Sequence, residues 1–151
     1  MAGGLTTRAD VTVLADIARD LVGIALRSIA LESVSAPQFR LMLQLSEDGP
    51  MASSRAARLL DVAPSSITRL TARLVEAGLI ERGSDPAHRG VVLLGLTAEG
   101  AALVERVVER RHAELAAVLD AIDPRLRDAC LAGLTAMRAQ LPKDRSIGGI
   151  W

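Results

Sequence analysis

Five side chains between residues 65 and 73 are the first in this sequence whose types and spacing could do chemistry. On a helix running from Pro64 to Ala77, at 100° per residue, Ser65, Ser66, Arg69 and Arg73 share roughly one quadrant, with Thr68 beside them. Ile67, Leu70 and Leu74 fall on the opposite side, the pattern of a helix that packs by an aliphatic underside. Two guanidinium groups and two hydroxyls presented together suit an anionic polymer. Arginine can hold guanine O6 and N7 with two bonds, and a good pair of this kind supplies about 1–3 kcal/mol of base discrimination. Serine hydroxyls donate to phosphate and so fix register. No acid stands on this helix before Glu76. The same face could instead meet an acidic protein, which makes a protein-interaction module the alternative.

No other constellation competes. The two histidines, His88 and His112, sit in no recognisable nucleophile–base–acid set, and no glycine-rich loop follows a strand to cradle phosphate. An enzyme is not expected. Metal sensing needs several His, Cys or carboxylate ligands, and His112 with Glu109 is better read as a surface pair. Neither a metal nor a cofactor is expected. Cys130 is the single cysteine, so no intramolecular disulfide can form, and its apolar helical setting reads as a small buried residue.

Charge distribution agrees with an anionic partner, although the formal net charge is zero. Residues 51–95 carry six arginines against four acids, whereas residues 1–50 carry four against six and residues 96–151 balance at eight each. The cationic excess therefore falls on the segment holding the serine–arginine face. Aromatics are limited to Phe39 and Trp151. That leaves little to stack on unpaired bases and favours a duplex over a single strand. Met1 opens no secretory signal, and no apolar run approaches the roughly 18 residues that span a bilayer, so no membrane partner and a cytoplasmic setting are expected.

The elements that must position this face are legible from periodicity and caps. Residues 10–33 carry Val11, Leu14, Ile17, Leu21, Ile24 and Ile29 at helical spacing, broadened enough to call for a partner helix. Ser35 and Gln38 form a capping box for a helix that stops at Asp48-Gly49-Pro50. A short helix from about Ser54 to Leu60, capped by Ser53 or Ser54, precedes a tight connection at Asp61-Val62-Ala63. Pro64 suits the first position of the next helix and Gly78 its exit, while Ala63 offers no capping oxygen. Leu79–Arg82 and Val91–Leu96 read as two strands of a hairpin whose turn-rich tip carries His88 and Arg89, where a wing could reach a minor groove. Thr97 caps a long helix to about Ile122, and Asp123-Pro124 opens a last helix to about Leu141.

The stretches Ala63–Leu70 and Leu74–Arg82, followed by Asp85-Pro86-Ala87-His88-Arg89-Gly90 and Leu96-Thr97-Ala98-Glu99-Gly100, resemble the recognition helix, wing and linking helix of the MarR (multiple-antibiotic-resistance regulator) family. The resemblance spans roughly residues 10–141. It implies a mainly α fold with a small β-hairpin wing: a winged helix-turn-helix flanked by N- and C-terminal dimerisation helices. Residues 1–34 would be the N-terminal dimerisation helix and 35–97 the DNA-binding domain. Residues 98–141 would be the linking and C-terminal dimerisation helices, with 142–151 a flexible tail.

The function that the resemblance implies is that of a homodimeric transcription regulator, a repressor, on a palindromic duplex operator. Ser65, Ser66, Thr68, Arg69, Arg73, His88 and Arg89 would touch DNA, and Leu14, Ile17, Leu21, Leu126 and Leu134 would hold the dimer. A small-molecule effector is implied between the two parts, with no readable pocket residues. The family's usual wing reads Asp-Arg-Arg where this chain has His88-Arg89-Gly90, so only Arg89 carries over directly.

Overall fold

Phe39, one of two aromatic residues in the chain, is fully buried and marks the centre of the core. The structure is a computed structural model that describes residues 6–84, 88 and 90–141. Its element order is α1 (Arg8–Ala30), α2 (Ala36–Asp48), β1 (Met51–Ala52), α3 (Ser53–Leu60), α4 (Pro64–Glu76), β2 (Ile80–Ser84), β3 (Val92–Leu96), α5 (Ala98–Asp120) and α6 (Pro124–Gln140). The fold is mainly helical with a small antiparallel sheet, as the sequence led us to expect.

Helix α2 begins where its capping box predicts. The Gln38 amide donates to Ser35 Oγ (3.4 Å), and Gln38 Oε1 accepts from the Ser35 amide (2.8 Å). Gly49, at φ +76°, ends it in a conformation that costs a residue with a Cβ. Between its ends, α2 buries Phe39, Leu41, Met42, Leu43 and Leu45. Ile67 and Leu74 of α4, Ile80, Leu94 of β3, and Leu103, Val104 and Val107 of α5 close over them in one aliphatic cluster. Burial of this kind stabilises by about 1.5–3 kcal/mol per large side chain.

The sheet has three strands, in the order β1-β3-β2. The pair Ile80–Ser84 with Val92–Leu96 is the expected hairpin. The third strand was not expected: Met51 and Ala52 pair with Leu94 and Leu93. It corrects the reading of the next helix. Because the chain passes straight from strand into helix, Ser53 and Ser54 lie inside the first turn of α3, and the cap position falls on Ala52, which makes no side-chain bond. Asp61 ends α3 in the left-handed region (φ +51°), a conformation aspartate tolerates better than most residues.

α1 and α5 cross along the C-terminal half of α1, where Ile24, Ala25, Ser28 and Ile29 are buried. Polar groups reinforce the crossing. Glu32 accepts from Arg110 (2.8 Å) and lies 3.6 Å from Arg106, and Arg110 also donates to the Ser28 carbonyl. Arg111 is only 4% exposed, with its Nε and Nη2 each 3.3 Å from Ser28 Oγ and its guanidinium 5.7 Å from the Phe39 ring centre. Burial pushes its pKa down.

The two outer helices behave differently. α6 buries none of its residues, and the N-terminal half of α1 is exposed throughout. Cys130, expected to be buried, is half-buried, because nothing among the described residues covers that side of α6. Residues 142–151, read from the sequence as a tail, lie outside the described residues.

Candidate nucleic-acid interface

Helix α4 leans its underside on the core through Ile67, Thr71 and Leu74 and turns the rest outward. Ser65, Thr68, Arg69 and Arg73 are exposed and Ser66 is half-buried. The five residues singled out from the sequence therefore lie on one accessible helix. Among the described residues, the side chains of Arg69 and Arg73 make no hydrogen bond or ion pair, so both guanidinium groups are available to an external anion. Thr68 is less free than its exposure suggests: its hydroxyl donates to the Pro64 carbonyl (3.0 Å), leaving lone pairs as its open function.

Local sequence explains the placement. Pro64 stands at the first helical position, with a φ suited to the helix and no amide to satisfy. Ala63 caps α4 without any side-chain bond, as expected. At the far end, Gly78 adopts φ +69° and the chain reverses, the Leu79 amide donating to the Leu74 carbonyl (2.9 Å). Helices α3 and α4 border a surface cleft of about 460 Å³, with Arg58 and Thr68 on its wall.

The wing stands beside α4. His88 is exposed near its tip, and Arg89 lies outside the described residues. The base of the wing shows what periodicity alone did not single out. Arg82, on β2, donates through Nη2 to Thr71 Oγ1 (2.7 Å) and to the Thr68 carbonyl (3.3 Å), joining strand to helix. The available signal was the two-residue alternation that places Arg82 on the same face as buried Ile80.

At the other side of the hairpin, Thr97 locks the start of α5. Its Oγ1 accepts from the Gly100 amide (3.0 Å) and donates to the Gly78 carbonyl (2.7 Å), while its own amide donates to the Leu79 carbonyl (3.2 Å). Gly100 packs so closely that a Cβ there would lie 1.9 Å from the Leu79 oxygen.

The residues proposed from the family resemblance to hold a second copy sit on the outer helices. Leu14, Ile17, Leu126 and Leu134 are 45%, 46%, 63% and 42% exposed, and Leu21 is half-buried. Among the described residues, no helix is long and apolar enough to cross a membrane.

A short helix, a tight turn, a second helix with an exposed cationic face and a hairpin at its side define a winged helix-turn-helix of the DNA-binding class. Comparison with known proteins agrees. The MarR family model matches residues 34–89. The structure of RV1404 from Mycobacterium tuberculosis superposes with a TM-score of 0.82 at 35% identity, covering 93% of this chain and 98% of that one. The HTH-type transcriptional regulator YhbI of Bacillus subtilis is 34% identical over 48% of this chain and 47% of its own length. The HTH-type transcriptional repressor MdtR of the same organism is 32% identical over 62% of this chain and 61% of its own. The chain thus spans about half to three-fifths of these two curated relatives. It belongs to the MarR family, whose members are DNA-binding transcription regulators and not enzymes.

Proposed function

We propose that this chain is a repressor that binds a palindromic operator as a homodimer and responds to a small-molecule effector. The observation that carries the reading is the face of α4, where the Arg69 and Arg73 side chains stand exposed and, among the described residues, without partners. One helix fits a major groove, and the early exposed residues of such a helix meet base edges. In this reading Arg69 and Arg73 address base edges, Ser65, Ser66 and Thr68 contact base or phosphate, and His88 and Arg89 on the wing enter the neighbouring minor groove. The repressor sense follows MdtR, a relative by name a repressor.

A second copy is needed for two reasons. A palindrome is read by two heads related by a two-fold axis. The chain also leaves Val11, Leu14 and Ile17 of α1 and Leu126, Leu131 and Leu134 of α6 open to water, an aliphatic surface of the kind that marks an interface. Residues 1–34 and 98–141 then form the dimerisation part, and residues 35–97 the reading head. The effector acts by binding one spacing of the heads more tightly than another. The setting is the cytoplasm, where the DNA is.

The test is fluorescence anisotropy on a duplex from the gene's own upstream region. Arg69→Ala and Arg73→Ala should each weaken binding by about 1–3 kcal/mol, as expected for loss of a bidentate base contact, with the oligomeric state unchanged. Affinity should also fall steeply with salt as counterions are released. Parental affinity in both variants, or binding to an acidic protein in place of the duplex, would refute the reading.

A further inference from the structure

We propose that Arg82 is a positioning residue that holds the wing at a fixed angle to α4, with Thr71 as its acceptor, and that operator affinity depends on this brace although neither side chain touches DNA. The inference rests on the DNA-reading role of α4 proposed above.

The wing needs such a brace. Among the described residues, strand β2 is an edge strand, paired with β3 alone. Ile80 is buried, but every residue of β2 after it is exposed. The apolar core therefore grips strand β2 at its root and no further, while β3 is held through buried Leu94, the residue paired with Arg82. Arg82 stands two residues on, on the face of the strand that Ile80 uses to enter the core. Its side chain crosses to α4 and donates from Nη2 to Thr71 Oγ1 and to the Thr68 carbonyl.

The chemistry at the acceptor is specific. Thr71 is 1% exposed and its hydroxyl proton is directed at helix carbonyls, Ile67 at 2.9 Å or Thr68 at 3.1 Å. A hydroxyl has one proton and two lone pairs, so the lone pairs face the guanidinium. A charged donor makes this stronger than a neutral bond. Thr68 and Thr71 also flank Arg69 and lie in the turn before Arg73. The brace therefore grips the part of α4 from which both proposed reading arginines spring. Ile67 and Leu74 set the distance of α4 from the core, but aliphatic packing is non-directional. The N-terminal cap adds no side-chain bond. The bonds from Arg82 fix how far α4 rolls on its underside, and so which way Arg69 and Arg73 point relative to the wing.

Two variants test this. Thr71→Val keeps volume and every charge while removing the acceptor, and Arg82→Met keeps an unbranched chain while removing the donor. Each would be titrated, with the double variant, against the upstream duplex and an unrelated duplex over a range of salt, below its melting temperature. Each single variant should bind the upstream duplex about tenfold more weakly, and the double should be no worse than the weaker single. The ratio of specific to non-specific affinity should fall. The salt slope of Thr71→Val should equal that of the parent.

Parental binding by Thr71→Val overturns the proposal. So does additivity in the double variant. A salt slope lower by about one unit in Arg82→Met alone would make Arg82 a direct phosphate contact, and would overturn it as well. If Arg82→Met does not fold, Thr71→Val decides alone. Absence of duplex binding by the parent protein defeats the reading of α4 itself, an outcome distinct from failure of the brace.

Discussion

Replacing Gly100 by alanine should unfold the joint between the reading head and α5, although alanine is the better helix former. Gly100 lies in the first turn of α5, where the Thr97 hydroxyl holds its amide. Intrinsic propensity favours alanine by about 1 kcal/mol. Against this, the new Cβ would sit 1.9 Å from the Leu79 oxygen and 2.9 Å from its carbon, where ordinary contact begins at 3.4 Å. The obstruction is backbone, so no rotamer relieves it. α5 must retreat by about 1.5 Å, or the turn at Gly78-Leu79 must.

Either movement breaks the pair of bonds that Thr97 makes to the Gly78 and Leu79 carbonyls, each worth about 1 kcal/mol. Overpacking of this kind adds typically 1–3 kcal/mol. After the propensity gain, the net loss is about 2–4 kcal/mol. For a domain of this size, that lowers Tm by roughly 5–15 °C. Circular dichroism melts of parent and variant measure it. Gly23→Ala is the control, since its Cβ meets only the tip of the Arg27 side chain at 3.2 Å, which can swing aside. Gly100→Ala melting at or above the parent would refute the argument.

Two further outcomes test other parts of the molecule. Ser28→Ala removes a hydroxyl that accepts from two nitrogens of buried Arg111, and should cost about 1–3 kcal/mol in urea denaturation. Adding Arg111→Met should recover part of that loss, because the charge no longer needs an acceptor; a double variant less stable than Ser28→Ala alone would contradict this. Ile17→Asp and Leu134→Asp change surface positions of the single chain but place charge in the proposed subunit contact. Each should shift sedimentation from dimer to monomer and weaken duplex binding at least tenfold, whereas a dimer of unchanged strength would count against that contact.

Legibility followed the range of the interactions. Helices α2, α4 and α5 could be bounded from residues near them in sequence: Ser35 with Gln38, Pro64 with Gly78, Thr97 with Gly100. The serine–arginine face of α4 was readable because one period of 3.6 residues places it opposite Ile67 and Leu74. Strand β1 was not, since two residues carry no alternation and Met51-Ala52 becomes a strand only by pairing with a segment some forty residues later. The Ser53/Ser54 cap failed for the same reason. Nothing in the sequence singled out Arg82 or Arg111; only the tertiary fold brings one to Thr71 and the other to Ser28 and Phe39. The aliphatic stripe of α1 was visible, but the described residues bury only its C-terminal half and leave Leu126 and Leu134 of α6 exposed.

Helix α5 is also a lever arm. It is an unbroken rod of 23 residues, about 34 Å long, clamped at its start by Thr97 and Gly100 and gripped along its length by the arginine cluster around Glu32. The grip through Arg106, Arg110 and Arg111 lies about 12–20 Å from its start, so a tilt of about five degrees about that grip moves the start by about 1–2 Å. In the homodimer proposed above, a small tilt of α5 is thereby passed on to the spacing of the two reading heads.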